Sequence, residues 1–221
     1  STYKKLTIPF LQWNLCFKGK LMNIIRYQEN NQGKDGKRLD LLSEMLMKSR
    51  TILIAEEVTK QLAQRVTAQL LLLEQESDKD GIKMYINSPG GDADAGFAIY
   101  DMMRFVKPKI KTICAGVTAS AAVIILIGTE KENRFSLPNA RILIHQPSTG
   151  VHGTASDIQI EASEILKCRE KINTLIAKET NRELIKVEND TKRNYWMSAE
   201  EAVTYGLLRK IIKTHDDFDG Q

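Results

Sequence analysis

Short apolar runs alternate with amphipathic stretches through the middle of the chain, and this alternation constrains the fold more than any other feature. The runs are rich in β-branched residues and predict four buried strands, at 51–55, 82–86, 110–115 and 141–144. The stretches between them have a helical period or are wholly apolar, and they predict three helices, at 58–73, 94–105 and 119–127. Strands that alternate with helices indicate an α/β domain with a largely parallel sheet.

The segments before and after this alternation have other patterns. Residues 30–38 are polar and contain glycine, which predicts a loop, and 39–47 has the pattern of a short amphipathic helix. The stretch 157–177 predicts a long helix with Ser156 as its N-cap. Because this helix has no strand partner at the right spacing, we expect it to project from the domain and pack against another subunit.

The C-terminal part contains one further helix and an acidic tail. A helix at 198–205 is predicted to begin with a capping box formed by Ser198 and Glu201 and to end at Gly206. The acidic tail, from His215 onward, is expected to be frayed.

Basic residues without acidic ones mark the N-terminal segment. Residues 1–28 carry five lysine or arginine residues, and the first acidic residue is Glu29. This composition is typical of a targeting segment or a propeptide, and sequence upstream of a true start at Met22 is an equal alternative. Polar residues and a proline break the apolar part at 8–16, which argues against a secretory signal.

Composition argues against several kinds of partner. With 42% apolar and 27% charged residues, the 221-residue chain resembles a soluble globular protein. The net charge of +4 does not indicate a nucleic-acid partner. The longest apolar stretch, 113–128, is shorter than the roughly 20 residues that cross a bilayer. We therefore expect no membrane span. Because no Cys or His pair has zinc-ligand spacing, we expect no metal site, and the three scattered cysteines are expected to be reduced thiols.

Ser120 is a candidate nucleophile because it opens a buried helix. It follows a predicted strand and a Gly116-Val117-Thr118 turn. Backbone N–H groups at a helix start are free and lie at the positive end of the helix dipole, so they would stabilise an oxyanion beside this hydroxyl. A serine near a helix start is more often an N-cap, so the position alone does not indicate catalysis.

His145 and a glycine turn supply the other groups that acyl transfer needs. His145 ends a strand before Gln146-Pro147, near the strand ends where α/β folds bind ligands. The Ser-Pro-Gly-Gly turn at 88–91 also follows a strand, and tandem glycines let backbone N–H groups approach a ligand. A partly buried histidine and an ordinary tight turn are the alternatives. Hydroxyl, imidazole and backbone donors at strand ends together fit nucleophilic acyl transfer.

Several blocks of the chain resemble the proteolytic subunits of Clp proteases. The blocks are YINSPGG at 85–91, TICAGVTASA at 112–121, LPNARILIHQP at 137–147, SDIQI at 156–160 and MSAEEAVTYG at 197–206. The similarity runs from about residue 39 to about residue 212. It implies the ClpP/crotonase-like α/β fold of repeated strand-helix units, with the helix from 157 as a projecting handle.

The resemblance assigns a role to each site residue. Ser120 attacks the scissile carbonyl, and His145 takes its proton and later donates it to the leaving amine. The backbone N–H groups of Gly91 and Ala121 form the oxyanion hole. Gly150 lies where the family's substrate strand pairs with the backbone.

The third triad position departs from the family pattern. The family has an aspartate in an Arg-Asp pair, and this chain has Arg193-Asn194. Asp190 matches a different family position and is not a candidate. Asn194 accepts a hydrogen bond from His145 through its amide oxygen but cannot offset the imidazolium charge, so we expect a slow or conditionally active enzyme.

The resemblance also implies an assembly and a partner. The subunit forms a homo- or hetero-tetradecamer of two seven-membered rings, into which a Clp-type AAA+ unfoldase threads unfolded polypeptides. The partner uses ATP, and the subunit itself needs no cofactor. The docking cleft for the unfoldase contains Leu71, Lys83, Tyr85 and Phe105. Lys83 stands where an aromatic residue is common, so docking is weakened, or it is carried by a second isoform in the same ring.

The resemblance divides the chain into three parts and leaves other functions open. Residues 1–38 are a basic extension with the axial segment, 39–212 the peptidase domain and 213–221 an acidic tail. The location is cytoplasmic, or organellar if 1–21 is a targeting segment. The alternatives are a low-activity or non-catalytic ring subunit paired with an active isoform, and an acyl-CoA enzyme of the same fold.

Overall fold

A computed structural model of the chain describes residues 34–148 and 150–219, so most of the basic segment at 1–38 lies outside the described residues. The chain divides into two compact units, 1–49 and 50–221. In the first unit, helix α1 spans Lys34–Lys48. The prediction of a loop at 30–38 is therefore wrong from Lys34 onward. Lysine, arginine and leucine are good helix formers, and they carry the helix through Gly36.

A seven-stranded sheet forms the centre of the second unit. Its strands are β1 (Thr51–Ile54), β2 (Ile82–Ser88), β3 (Ile110–Ala119), β4 (Arg134–Ser136), β5 (Arg141–Ile144), β6 (Tyr195–Ser198) and β7 (Lys210–Ile211). The main path is β1-β2-β3-β4-β7, with β5 on β3 and β6 on β5. Every pair is parallel except β5 with β6. The predicted α/β domain with a largely parallel sheet is confirmed.

Strand β3 positions the site because it changes partners along its length. Its first part pairs with β4, and its last residues, from Val117 to Ala119, pair with β5. The predicted turn at 116–118 is wrong, since the strand bends at Gly116, with a φ of 95°, and continues to Ala119. The sheet thus branches just before Ser120.

Helices cover the sheet much as the sequence predicts. They are α2 (Lys60–Glu76), α3 (Ala93–Phe105), α4 (Ala121–Leu126), α5 (Ala155–Thr180), α6 (Leu184–Thr191), α7 (Ala199–Tyr205) and a single turn, α8 (Asp216–Asp219). Every residue of α4 is buried. The Ser198–Glu201 capping box of α7 and its end at Gly206 are confirmed. No helix of the described residues is long and apolar enough to cross a membrane.

Helix α5 projects in the way that its pattern predicts. Its buried residues all lie in its C-terminal half, beginning at Ile172, while most of the preceding turns are exposed. The cap differs from the prediction, because Thr154 rather than Ser156 begins the helix. Thr154 forms a reciprocal capping box with Asp157, whose carboxylate accepts bonds from the backbone N–H and the hydroxyl of Thr154.

Candidate active site

Ser120 occupies the junction between β3 and α4 in a conformation that few non-glycine residues adopt. Its φ of 55° and ψ of −122° turn the chain sharply from strand to helix, and its N–H donates to the carbonyl of Leu143 at 2.9 Å. The hydroxyl makes no capping hydrogen bond. Ser120 is therefore not the ordinary helix cap that its position alone would suggest, and strained residues of this kind cluster at functional sites.

Gly90 makes the turn at Ser120 sterically feasible, a role that the sequence analysis missed. A Cβ atom on Gly90 would lie 2.5 Å from the carbonyl oxygen of Ala119 and 2.7 Å from the Cβ of Ser120. The φ of Gly90 is 91°, which also favours glycine. The tandem glycines of the 88–91 turn were the available signal, but only Gly91 of the pair was assigned a role.

His145 reaches the same place from the end of the neighbouring strand. Leu143 pairs with Ala119 across β5 and β3, so His145 and Ser120 both lie just beyond this pair. Both side chains are partly exposed and line one cavity of about 720 Å³. Among the hydrogen bonds of the described residues, none joins the Ser120 hydroxyl to His145. Catalytic hydrogen bonds often tighten only when substrate binds.

Asn194 lies beside His145 because of the pairing of β5 with β6. Ile144 pairs with Tyr195 in this antiparallel ladder, which places the preceding Asn194 opposite His145. The Nδ1 of His145 lies 3.0 Å from the Oδ1 of Asn194. An amide can present either its oxygen or its nitrogen, so unlike a carboxylate it does not fix the tautomer of the histidine. With its oxygen facing Nδ1, as here, the imidazole proton is on Nδ1 and Nε2 is the acceptor. That is the tautomer a general base requires.

Gln146 ties the histidine strand to the end of α6. Its N–H donates to the carbonyl of Thr191 at 2.7 Å, and its Nε2 donates to the carbonyl of Lys192 at 3.0 Å. These bonds on one side and the β5–β6 ladder on the other hold the chain around the His145–Asn194 contact. The sequence analysis used Gln146 only as part of a motif.

Asp190, the nearest carboxylate before Asn194 in the sequence, is engaged elsewhere. It pairs with Lys186 at 2.6 Å and accepts a bond from the Tyr205 hydroxyl at 3.0 Å. Burial, together with the neighbouring carboxylate, raises the pKa of Tyr205. Both carboxylate oxygens of Asp190 therefore have partners other than His145.

Gly91 and Ala121, whose backbone N–H groups are the predicted oxyanion donors, both line the cavity. Val58 and Gly91 form an isolated β-bridge. The N–H of Val58 donates to the carbonyl of Gly90, and the carbonyl of Val58 accepts from the N–H of Asp92, each at 2.8 Å. This alternation directs the N–H of Gly91 to the opposite side, and Gly91 lines the cavity with Ser120. The N–H of Ala121 belongs to the first turn of α4, where backbone donors have no partner within the helix.

The projecting helix α5 closes the cavity opposite the strand ends. Its contribution includes Ile165, Cys168, Lys171 and Ile172. The ammonium of Lys171 lies 3.7 Å from the ring centroid of Phe97, which also lines the cavity. The cavity lining thus combines apolar residues with charged ones of both signs, namely Lys167, Lys171, Asp92, Asp94, Glu161 and Glu164. No group of acidic, histidine or cysteine side chains in the described part of the chain could hold a metal.

The remaining predicted site residues lie outside this cavity. Gly150 is exposed, and a Cβ atom added to it would meet no heavy atom within 4 Å. Of the predicted docking residues, Leu71 and Phe105 are exposed and Lys83 and Tyr85 are half-buried. Leu53, which the sequence analysis missed, is 48% exposed and pairs with Tyr85 across β1 and β2. Leu53 therefore extends the apolar surface beside Tyr85.

The two cysteines within the described residues are free thiols, as the sequence predicts. Cys114 is buried in β3 and Cys168 is half-buried on α5. Burial raises the pKa of Cys114 to about 12, so this thiol stays protonated and unreactive at neutral pH.

Comparison with known proteins identifies close relatives over nearly the whole chain. A model of the Clp protease family matches residues 33–215. The proteolytic subunit 2 of the ATP-dependent Clp protease from Treponema denticola is 48% identical over 198 residues, which cover 89% of this chain and 98% of the relative. Subunit 3 from Rhizobium johnstonii is 45% identical over 85% of this chain and 99% of the relative.

The fold matches a solved structure from the same set of relatives. An asparagine-to-aspartate mutant of ClpP1 from Listeria monocytogenes superposes with a TM-score of 0.75 at 44% identity. The match covers 80% of this chain and 99% of the other. The predicted ClpP/crotonase-like fold is confirmed.

Proposed function

The chain belongs to the Clp protease family of serine endopeptidases, and from this membership we propose that Ser120, His145 and Asn194 are its catalytic residues. The observation that carries this proposal is the shared cavity. An uncapped, strained serine hydroxyl and an imidazole with an acceptor at Nδ1 line it together.

The proposed chemistry proceeds through an acyl-enzyme. The Ser120 oxygen attacks the scissile carbonyl while its proton passes to Nε2 of His145. The carbonyl oxygen becomes an oxyanion and accepts bonds from the N–H groups of Gly91 and Ala121. As the C–N bond breaks, His145 returns the proton to the leaving amine. Water, deprotonated by the same imidazole, then hydrolyses the ester and restores the hydroxyl of Ser120.

Labelling with a fluorophosphonate tests the nucleophile directly, because only an activated serine reacts. We expect the purified chain to be labelled and to cleave a fluorogenic peptide, and Ser120→Ala to lose both properties. Ser156→Ala, an exposed serine on α5, serves as the matched control and is expected to behave like the unmodified chain. Peptide cleavage that survives in Ser120→Ala contradicts the assignment. Absence of labelling in the unmodified chain supports a non-catalytic ring subunit instead.

The proposed substrate is an unfolded polypeptide that binds as an extended strand. The cavity of about 720 Å³ between the strand ends and α5 has room for a segment of such a chain, and the proposal places Gly150 beside its backbone. Gly150→Pro, which changes the local backbone and removes an N–H donor, is expected to raise KM for peptides. An unchanged KM excludes Gly150 from substrate binding.

The proposed assembly is a homo- or hetero-tetradecamer of two seven-membered rings that encloses the sites. Residues 39–212 form the peptidase domain, 1–38 a basic extension with the axial segment, and 213–221 an acidic tail. A Clp-type AAA+ unfoldase supplies the ATP-driven step and docks through Leu71, Lys83, Tyr85 and Phe105. The proposed location is cytoplasmic, or organellar if 1–21 directs import.

A further inference from the structure

The acidic tail is folded onto the sheet, which differs from the frayed tail that its sequence predicts. After β7 the chain turns back and forms α8. The carboxylate of Asp217 accepts bonds from the backbone N–H groups of Lys213, at 2.8 Å, and Thr214, at 2.9 Å. These bonds lower the pKa of Asp217. The side chain of Lys210 also donates to the carbonyl of Asp217 at 2.8 Å. Together these contacts fix the position of the next residue, Phe218.

Phe218 fills an apolar pocket on the sheet. Its side chain is 6% exposed and packs with Ile113, Phe135 and Ile212. Its ring meets that of Phe135 edge to face, with centroids 5.3 Å apart. This geometry is the favoured one for aromatic pairs, so the pocket fits a bulky aromatic side chain.

The pocket adjoins the proposed docking cleft. Tyr85, a member of that cleft, packs against the cluster that holds Phe218. Tyr85 also pairs in register with Ile113, which forms the floor of the pocket, and with Leu53 on its other side. One apolar strip therefore runs from the exposed Leu53 across Tyr85 to the ring of Phe218.

Basic residues flank this strip, and acidic residues flank Phe218. Lys83 and Lys111 pair in register across β2 and β3, and neither forms an ion pair among the described residues. The ammonium of Lys111 lies 4.5 Å from the centroid of the Phe218 ring. The tail presents Asp216 and Asp217 immediately before Phe218. Like charges directly opposite each other on a sheet repel, so an acidic segment nearby is favourable. The tail therefore suits the pocket both in the shape of its Phe218 ring and in its charge.

We propose that residues 213–219 are an internal ligand of the partner-docking face, which keeps the Phe218 pocket filled until a partner displaces it. The inference rests on the proposed docking cleft. The displacing partner is a loop with an aromatic or large aliphatic anchor and an acidic neighbour, because it must reproduce the contacts that Phe218 makes. The tail then competes with the partner for the pocket, so only a partner that binds more tightly than Phe218 can dock. It takes no part in catalysis.

A peptide with the tail sequence tests whether the pocket is a ligand site. The probe is a fluorescent peptide, Lys-Thr-His-Asp-Asp-Phe-Asp, titrated by anisotropy against full-length Phe218→Ala, in which the pocket is empty. Since burial of a phenylalanine side chain contributes about 1.5–3 kcal/mol, we expect binding at least about tenfold tighter than to the unmodified chain. Glu183→Ala, which alters an exposed residue outside the tail and the cleft, is the matched control. Equal affinities for all three proteins, or equal binding of a peptide with alanine in place of phenylalanine, overturn the proposal.

Unfoldase binding tests the threshold. With a Clp-type AAA+ unfoldase ring and ATP, we expect Phe218→Ala to bind several-fold tighter and Glu183→Ala to bind like the unmodified chain. If thermal unfolding shows that Phe218→Ala is not folded, Phe218→Leu replaces it, with a smaller gain expected in the same direction. Unchanged or weaker binding overturns the proposed role of the tail.

A cleft variant separates this proposal from the one it rests on. Leu71 lies in the proposed cleft but outside the Phe218 cluster, and it is 41% exposed. We expect Leu71→Ser to weaken unfoldase binding without changing affinity for the tail peptide. If Leu71→Ser binds the unfoldase normally, the proposed assignment of the docking cleft is wrong. If Leu71→Ser weakens binding and Phe218→Ala does not strengthen it, only the tail proposal is wrong.

Discussion

At the scale of single residues, the proposed role of Asn194 sets how much catalysis we expect from the site. Its amide oxygen holds the Nδ1 of His145 at 3.0 Å and so orients the imidazole as an aspartate would. It carries no charge, however, and the imidazolium that forms during attack gains no ion-pair stabilisation from it. Orientation is preserved and electrostatic stabilisation is lost, which distinguishes this site from a complete Ser-His-Asp triad.

Asn194→Asp should therefore raise peptide turnover. In a Ser-His-Asp triad the Asp-to-Asn change lowers kcat by about 10⁴, chiefly because the histidine takes the wrong tautomer. An aspartate at 194 would both fix the Nδ1–H tautomer and offset the imidazolium charge, so kcat should rise by at least about tenfold while KM changes little. Steady-state cleavage of a fluorogenic peptide measures both constants. Asp190→Asn, which removes a carboxylate engaged with Lys186 and Tyr205, is the control and should not raise kcat. Turnover that stays constant in Asn194→Asp contradicts this account of Asn194.

Gly90 decides whether the nucleophile can be held in place at all. In Gly90→Ala the new methyl group would lie 2.5 Å from the Ala119 carbonyl, and relief of that contact must move Ser120. Strained backbone of this kind costs about 1–3 kcal/mol, and we expect labelling of Ser120 by a fluorophosphonate to fall by at least about tenfold. Gly81→Ala, where the nearest atom is 3.4 Å away, is the matched control. Normal labelling of Gly90→Ala would show that the contact does not position Ser120.

At the scale of elements, Arg134 joins the helix that carries the nucleophile to the projecting helix. Its side chain is 0% exposed, and it donates to the carbonyls of Thr129, at 2.8 Å, and Ile127, at 3.3 Å, just beyond α4. It also pairs with Glu179 in the last turns of α5. Burial lowers the pKa of the Arg134 guanidinium, and its pairing with Glu179 opposes this effect.

Arg134→Met should destabilise the protein far more than loss of a surface ion pair. Removal of one partner from a buried pair costs about 3–5 kcal/mol when the other charge is left unpaired. Glu179 keeps its bond to Arg104, at 2.7 Å, so we expect a cost near the lower end of that range, to which the lost bonds to the carbonyls beyond α4 contribute. Arg65→Met breaks the half-exposed pair with Glu56 and should cost less than about 1 kcal/mol. Urea unfolding measures both free energies. Similar losses of unfolding free energy in the two variants would mean that the buried ion pair contributes no more to stability than the exposed one.

The elements that the sequence predicts well are those with a local period. The wholly apolar run at 119–127 predicted α4, and the apolar stripe at 157–177 predicted the approximate length of α5 and its projection from the domain. The short strands β4, β6 and β7 were missed, because two to four residues contain no measurable alternation. Helix α6 was missed for a similar reason, since it has only eight residues.

The same limit applies to the site. Ser120, His145 and the glycine turn could be predicted because each follows or ends a strong strand pattern. The contact between His145 and Asn194 joins residues that are 49 positions apart, and it depends on the missed strand β6. No local pattern indicates such a pairing, so only the family resemblance pointed to residue 194.

At the scale of the whole molecule, the exposed half of α5 is the surface that the proposed double ring would cover. It presents Ile158, Ile160 and Leu166, which are 45%, 60% and 54% exposed. Full burial of each such side chain contributes about 1.5–3 kcal/mol before the entropy cost of association, so these residues would supply much of the stabilisation of a contact between rings on this surface. The same helix closes the cavity beside Ser120, so assembly and catalysis share one element.

Leu166→Asp should accordingly split the double ring. A carboxylate in an apolar contact is costly to bury and has no partner there, so we expect particles of half the mass in sedimentation velocity. Thr174→Asp adds the same charge at an exposed polar position of α5 and should leave the mass unchanged. Peptide cleavage by the half-mass particles should fall, since α5 loses the contact that holds it over the cavity. A double ring that survives Leu166→Asp would place the contact between rings on another surface and remove this link between assembly and activity.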